Sequence, residues 1–538
     1  MMFTQILDPV HSVLGSTLLA LVPVAVLLLL LAVVRLSAWQ AVIGGAIVTL
    51  LGAIFIWHTP TGTAFTAYGL GAATGFWSID WIVFWGVIIY HTLVVTGSFD
   101  GFKRWLVSHA TADIRVQTIL IAWAFGALLE GLVGFGYPWA VVAPLLIGFG
   151  MMDLEAVRVA ALANNAPVSY GALGAPVIGL AAVTSLPLLD LSASIGKIVA
   201  VLALAPPWLL IYLVSGRRGF RAGWPLALAG SFGYIAGQYP TSQWLGPYLP
   251  DVIGSLVCFG VLLVLLRFWR PAVQLGFGGH ELAPHEVEAW RTGPSASSSS
   301  GAGRGLLPFV ILVAVVVAWT GPWSPLPNYT PFEPKVSAIS SVTGKPVSIT
   351  WSFSPFIAGT AILVSWLLIN LYLRPRRDQL REVFRRAFGQ MWGALLVGPL
   401  IFGLAQVFNF SGMANSMATG FAKVGTAFVV LSPVLGWIAV ALSGSNTSAN
   451  AVFGQFQATV GKLLGAPPLL FPSLNSVGSE VGKPVAAQTA SVGVATTTLV
   501  RQEGHVIRHN LGWTLIILAY LIGVGALFYF LLPSSMRL

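Results

Sequence analysis

Residues 13–34 contain no ionisable side chain, and uninterrupted apolar stretches of similar length recur to the end of the chain. A helix rises about 1.5 Å per residue and a bilayer's hydrocarbon core is about 30 Å thick, so about 20 such residues cross it. The spans read from the sequence are Val13–Val34, Ala38–Trp57, Asp80–Phe99, Ile195–Val214, Trp224–Tyr239, Asp251–Leu266, Leu306–Thr320, Pro355–Leu373, Gly389–Phe408, Ala422–Leu442, Thr447–Leu464, Val485–Val500 and Leu511–Leu532. Thr61–Ile79 is Gly-rich and reads as peripheral or re-entrant. Only 8% of the 538 residues are charged, against about 25% in soluble domains. The alternating ten-residue segments of a membrane β-barrel are absent. The expected fold is an all-α polytopic membrane protein of roughly 12–14 crossings.

The net charge of +10 points to membrane orientation, not to nucleic acid, because the positive residues concentrate between spans. Arg217–Arg221, residues 267–304 and Arg374–Arg386 are separated by two crossings each. All three therefore belong on the cytoplasmic side, which places both termini outside and segments 267–305 and 374–388 inside. Within the 267–305 linker, Ser295–Ser300 is low-complexity and expected to be disordered. Val13–Val34 is long enough to span and lacks a basic leader, so no cleavable signal peptide is expected. Cys258, the single cysteine, can form neither an intrachain disulfide nor a Cys-based metal site. With no metal-ligand cluster, cofactor motif or nucleophile–base pair, the chain does not read as an enzyme.

Four polar interruptions break the apolar pattern. Gly126–Pro144 contains Glu130, the only acidic or basic residue between Arg115 and Asp153, together with Gly126, Gly131, Gly134, Gly136 and two prolines. A helix break at membrane depth is tolerated only where it is buried in protein or lines a cavity. An acid there costs about 2.5–3.5 kcal/mol by insertion scales and marks function by default. Segment 159–183 contains Asn164, Asn165, Pro167, Gly171, Gly174 and Pro176, and reads as a second discontinuous element. Ser443–Asn450, SGSNTSAN, suits an N-cap whose half-helix aims free N–H groups at an anion. Residues 475–488 place Glu480 and Lys483 three apart, close enough to neutralise each other on a helix, before Pro484. Interrupted segments in corresponding positions point to a midplane site between two pseudo-symmetric, inverted halves, residues 1–266 and 306–538. The plainer readings are close helix packing for single glycines and a packed, hydrogen-bonded imidazole for His91.

The chain resembles the bacterial L-lactate permease family over nearly its whole length. The resemblance is sharpest in EGLVGFGYPWAVVAPLL (Glu130–Leu146), ANNAPVSYGALGAPV (Ala163–Val177), WLGPYLPD (Trp244–Asp251), NFSGM (Asn409–Met413) and LSPVLGWIAVALSGSNTSANAVFG (Leu431–Gly454). It implies an inner-membrane symporter of lactate or glycolate with protons, with the bilayer, protons and a small carboxylate as partners, a possible homodimer, and no cofactor. Glu130 is the expected proton carrier, with His91 as a second coupling residue. Ser445, Asn446, Thr447 and Ser448 are expected to hold the substrate, with Lys483 supplying positive potential. Asn450, Asn164, Gln488, Gly134 and Gly136 are assigned to the same surface. The chain departs from the family pattern in Asn446 and Ala449, where the family reads Gly-Ser-Asp-Thr-Ser-Ser-Asn. It departs again at Pro484–Ala487 within Gly482–Gln488, and at His91. A Na⁺-coupled carboxylate carrier is the alternative within transport, and an uncoupled channel or sensor the alternative outside it.

Overall fold

The computed structural model describes residues 3–109, 111–134, 136–292, 302–499 and 501–538. Among these residues, nine helices are long and apolar enough to cross a membrane, or ten if the bent pair Asp153–Ala163 and Val168–Thr184 counts as one span. Three shorter apolar helices, Tyr137–Gly148, Gly305–Thr320 and Ala358–Leu373, accompany them. The protein is a multi-pass helical membrane protein with broken helices, and the larger count made from the sequence includes the short and bent pieces. The expected disorder of Ser295–Ser300 lies outside the described residues.

Three local departures have physical causes. Thr61–Ile79 does not turn back as a re-entrant segment: Thr61–Val95 is one continuous 35-residue helical path with a π-helical stretch at Gly75–Asp80. Its glycines mark close contact, since a Cβ at Gly71 or Gly75 would collide with the carbonyls of Phe402 and Gly398. Arg377–Ser411 is likewise one 35-residue helix. Most of the basic stretch 374–386 forms its first turns, where Glu382 pairs with Arg385 at 2.7 Å and Arg386 at 2.6 Å. The polar loop 321–354 contains an antiparallel strand pair, Lys335–Ile339 with Pro346–Thr350, in the register Lys335↔Thr350. Phe3–Thr4 joins it in parallel. Gln5 secures the arrangement by donating to the Phe410 carbonyl at 2.9 Å and accepting from Asn415 at 3.0 Å.

The interrupted segments converge. Val168–Tyr170 packs on Leu470–Gly482, and Gly171–Thr184 packs on Asn446–Leu463. Phe428–Ser443 lies against Leu470–Gly482 so closely that a Cβ at Gly436 or Gly478 would meet the opposing backbone carbonyls of Asn475 and Pro433. Membrane helices associate through such small-residue contacts because lipid supplies no hydrophobic drive between them.

Candidate functional site

Each break ends a helix where a polar group is needed. The Gly126–Leu132 helix stops two residues after Glu130, and Gly134 (φ 67°) and Gly136 (φ 75°) turn the chain into Tyr137–Gly148. These positive φ values are ones that L-residues with side chains rarely adopt. Asp153–Ala163 bends by 71° relative to Val168–Thr184, with Asn164 at the corner. Gly444 (φ 74°) terminates Phe428–Ser443, and Ser445 caps the next helix, its hydroxyl accepting the Ser448 N–H at 3.2 Å. Lys483 opens a short 3-10 turn after Leu470–Gly482, and Ala487–Val494 resumes the helix.

These ends surround a cavity of about 560 Å³ lined by Glu130, Gly134, Lys483, Gln488 and the run Ser445–Ser448, among others. Much of the remaining wall is apolar, including Leu27, Val42, Phe402 and Phe453. Such proportions, a concave apolar site with few polar groups at one part of its wall, are those of small-molecule sites.

Lys483 Nζ lies 2.5 Å from Glu130 Oε1, and both side chains are almost completely buried. Asn164 Nδ2 donates to Glu130 Oε2 at 3.0 Å, so both carboxylate oxygens are engaged. Gly171 makes room for this arrangement: a Cβ there would sit 2.6 Å from Glu130 Oε1. Lys483 is therefore not the partner of Glu480, as their spacing suggested. The Ser169 N–H meets Glu480 Oε1 at 2.6 Å, and Glu480 Oε2 has no hydrogen-bond partner. Tertiary packing places Glu130 closer to the ammonium than the helical neighbour.

The remaining expected residues fall into two groups. Asn446 donates to the Ser476 carbonyl at 3.2 Å and keeps an unpartnered Oδ1. The hydroxyls of Thr447 and Ser448 have no protein partner among the described residues. Gln488 packs against Gly444 beside them. Three residues stand behind the cavity wall. Asn450 donates to the Pro176 carbonyl and Ser476 Oγ, both at 3.0 Å, and accepts from Asn475 at 2.9 Å. Asn164 reaches the site through Glu130, and Gly136 abuts Thr489. His91 Nε2 lies 2.7 Å from Gln390 Oε1, and it is Gln390 that lines the cavity.

The sequence reading missed Asp80. It is buried, lines the cavity, and its Oδ2 has no hydrogen-bond partner. It is the lone acid between Thr61 and Phe99, the same signal that singled out Glu130. Taking it as a span boundary hid its position inside a continuous helix.

The sequence model of the L-lactate permease family matches residues 16–532. The chain belongs to the L-lactate permease family. It is 31% identical to an L-lactate permease of Bacillus subtilis (strain 168) over 96% of this chain and 97% of that one. It is 32% identical to the glycolate permease GlcA of Escherichia coli (strain K12), over 97% of each. Among solved structures, MtrF of Neisseria gonorrhoeae, one of a class of antimetabolite efflux pumps, aligns with 96% of this chain and 95% of its own at 13% identity and a TM-score of 0.44, a likeness that carries no argument here. In L-lactate permease family terms, the stretches Glu130–Leu146 and Leu431–Gly454 that carried the resemblance are those that contribute Glu130 and Ser445–Ser448 to one cavity.

Proposed function

We propose that this permease is a secondary transporter that moves L-lactate or glycolate together with protons across the inner (plasma) membrane. Membership of the family, and relatives named for lactate and glycolate, support the substrate class. The observation that carries the mechanism is the buried Lys483–Glu130 pair in the cavity wall.

Removing one partner from a buried pair leaves an uncompensated charge, a cost of about 3–5 kcal/mol. Nothing is gained by opening the pair unless another anion reaches Lys483 and a proton reaches Glu130 at the same time. A proton on Glu130 releases the ammonium, and the carboxylate of a 2-hydroxy acid takes the vacated place. The net charge of the site is the same before and after, so proton and substrate load as a unit. The free N–H groups and positive end of the helix beginning at Asn446, with the Thr447 and Ser448 hydroxyls, hold the carboxylate and the 2-hydroxyl. Asn164 orients Glu130, Gln488 supports the Gly444–Ser445 turn, and His91 acts through Gln390. An anion entering against a negative interior opposes about 2.3 kcal/mol per 100 mV, and one accompanying proton cancels that term. In this reading both termini face outside, and segments 267–305 and 374–388 face the cytoplasm.

The test is uptake of labelled L-lactate and glycolate into proteoliposomes with an imposed inward proton gradient, with Na⁺ or choline. Accumulation in choline supports the reading. Accumulation only with Na⁺ replaces the coupling ion, and none under either gradient overturns the substrate assignment.

A further inference from the structure

The region around the broken segments holds more buried acid than base. Glu480 is fully buried, accepts the Ser169 N–H with Oε1, and leaves Oε2 without a partner. Asp251 is also buried: Oδ1 accepts from the Tyr234 hydroxyl at 2.7 Å and Oδ2 is unpartnered. It lies against the backbone next to Glu130, since a Cβ at Gly131 would be 2.7 Å from its own Cβ. Lys483, the cation of this group, is committed to Glu130. A buried carboxyl group without a counter-charge is kept neutral by a proton.

The 3-10 turn Val168–Tyr170 joins the two glutamates. Ser169 donates to Glu480, and Gly171, two residues on, abuts Glu130 Oε1. Glu480 and Lys483 are three positions apart at the end of one helix, a spacing at which side chains meet. We infer that Glu480 is a second proton-bearing acid and the alternate partner of Lys483, through which the transported proton leaves. This rests on the proton-coupled reading above.

Once the substrate has departed, the Lys483 ammonium stands beside two protonated acids. Glu480, fully buried in this arrangement, gives its proton to water once the site opens to the cytoplasm, and Lys483 pairs with the carboxylate formed. The Glu130 proton then passes to Glu480 as Lys483 returns to Glu130, restoring the starting arrangement with one proton delivered. The ionisable groups acting on Glu480 are Lys483, Glu130, Asp251, Tyr170 and Tyr234. Of the other helices packed on Leu470–Gly482, Phe428–Ser443 has no ionisable residue. Lys197 donates to the Ser535 carbonyl, His509 meets Glu155, Arg508 donates to the Gly504 carbonyl, and Lys462 is in the last turn of its helix. Asp190 and Glu503 lie in the first turns of theirs, and His505 faces His509.

The experiment compares net pH-driven uptake with equilibrium exchange of labelled L-lactate in proteoliposomes for wild type, Glu480→Gln and Glu480→Asp. Exchange loads and unloads substrate without releasing the proton. Glu480→Gln is expected to lower net uptake by roughly a hundredfold, the scale of a lost proton-transfer group, with exchange unchanged and net uptake restored by Glu480→Asp. Equal retention of both activities in Glu480→Gln overturns the inference, and so does equal loss of both, which marks a structural role. Wild-type protein without pH-driven uptake overturns the proton-coupled reading, and this inference with it.

Discussion

Lys483 Nζ and Glu130 Oε1 lie 2.5 Å apart although 353 positions separate the two residues in the chain. The contact joins the break after Leu132 to the break after Gly482, so one ion pair ties together two interrupted segments that also line the cavity. Its consequences are testable one residue at a time.

Lys483→Met strands the Glu130 carboxylate in a buried site. The single variant is expected to lose about 3–5 kcal/mol of stability, seen as a lower midpoint in thermal unfolding followed by fluorescence-detected size exclusion. Adding Glu130→Gln removes the stranded charge, so the double variant recovers most of the lost stability while still failing to transport. Additive losses in the double variant would show that the two side chains do not act as a pair.

Gly171→Ala tests the seat of Glu130. The added methyl meets the Glu130 carboxyl group, which Lys483 and Asn164 hold at both oxygens. Glu130 is expected to be pushed away from Lys483, with transport strongly reduced and the unfolding midpoint lowered in the same direction as in Lys483→Met. Wild-type transport by this variant would mean that the tight seat of Glu130 is not needed.

Asn164→Ala removes the donor to Glu130 Oε2. A hydrogen bond to a charged group contributes about 1.5–3 kcal/mol, so a stability loss of that order is expected, together with weaker proton-driven uptake. A variant as stable as wild type would show that the bond contributes nothing.

Ser445→Ala removes the cap of the Asn446–Leu463 helix. A stability loss of about 1 kcal/mol is expected, with a raised KM for lactate because the turn that positions Thr447 and Ser448 loosens. An unchanged KM would remove this turn from the substrate site.

Much of this site was legible in the chain because polar and Gly/Pro residues stand out against apolar surroundings. Glu130, Gly134 and the SGSNTSAN run are conspicuous at membrane depth, and each sits at a helix break on the cavity. The partner of Lys483 was not legible. Spacing along one helix favours Glu480, and only the packing of distant segments brings Glu130 nearer. Asp80 was hidden for a related reason: it lies inside the continuous Thr61–Val95 path, packed closely on the Arg377–Ser411 helix, and local hydropathy does not encode that packing. The strand pair in 321–354 was obscured by six prolines, five of which, Pro322 to Pro334, precede both strands, while Pro346 opens the second. Asn450 and Thr447 are three positions apart and share a helix face by spacing; that Asn450 stands behind the wall follows from its bonds to Pro176, Ser476 and Asn475, which local sequence does not encode.

The central claim is that a proton and a carboxylate load together by opening the Lys483–Glu130 pair. The most direct measurement is proton uptake when L-lactate or glycolate is added to purified protein in lightly buffered detergent solution. About one proton taken up per substrate bound, abolished in Glu130→Gln, is the expected result, since charge neutrality of a buried site requires it. Saturable substrate binding with no accompanying proton uptake would contradict the account.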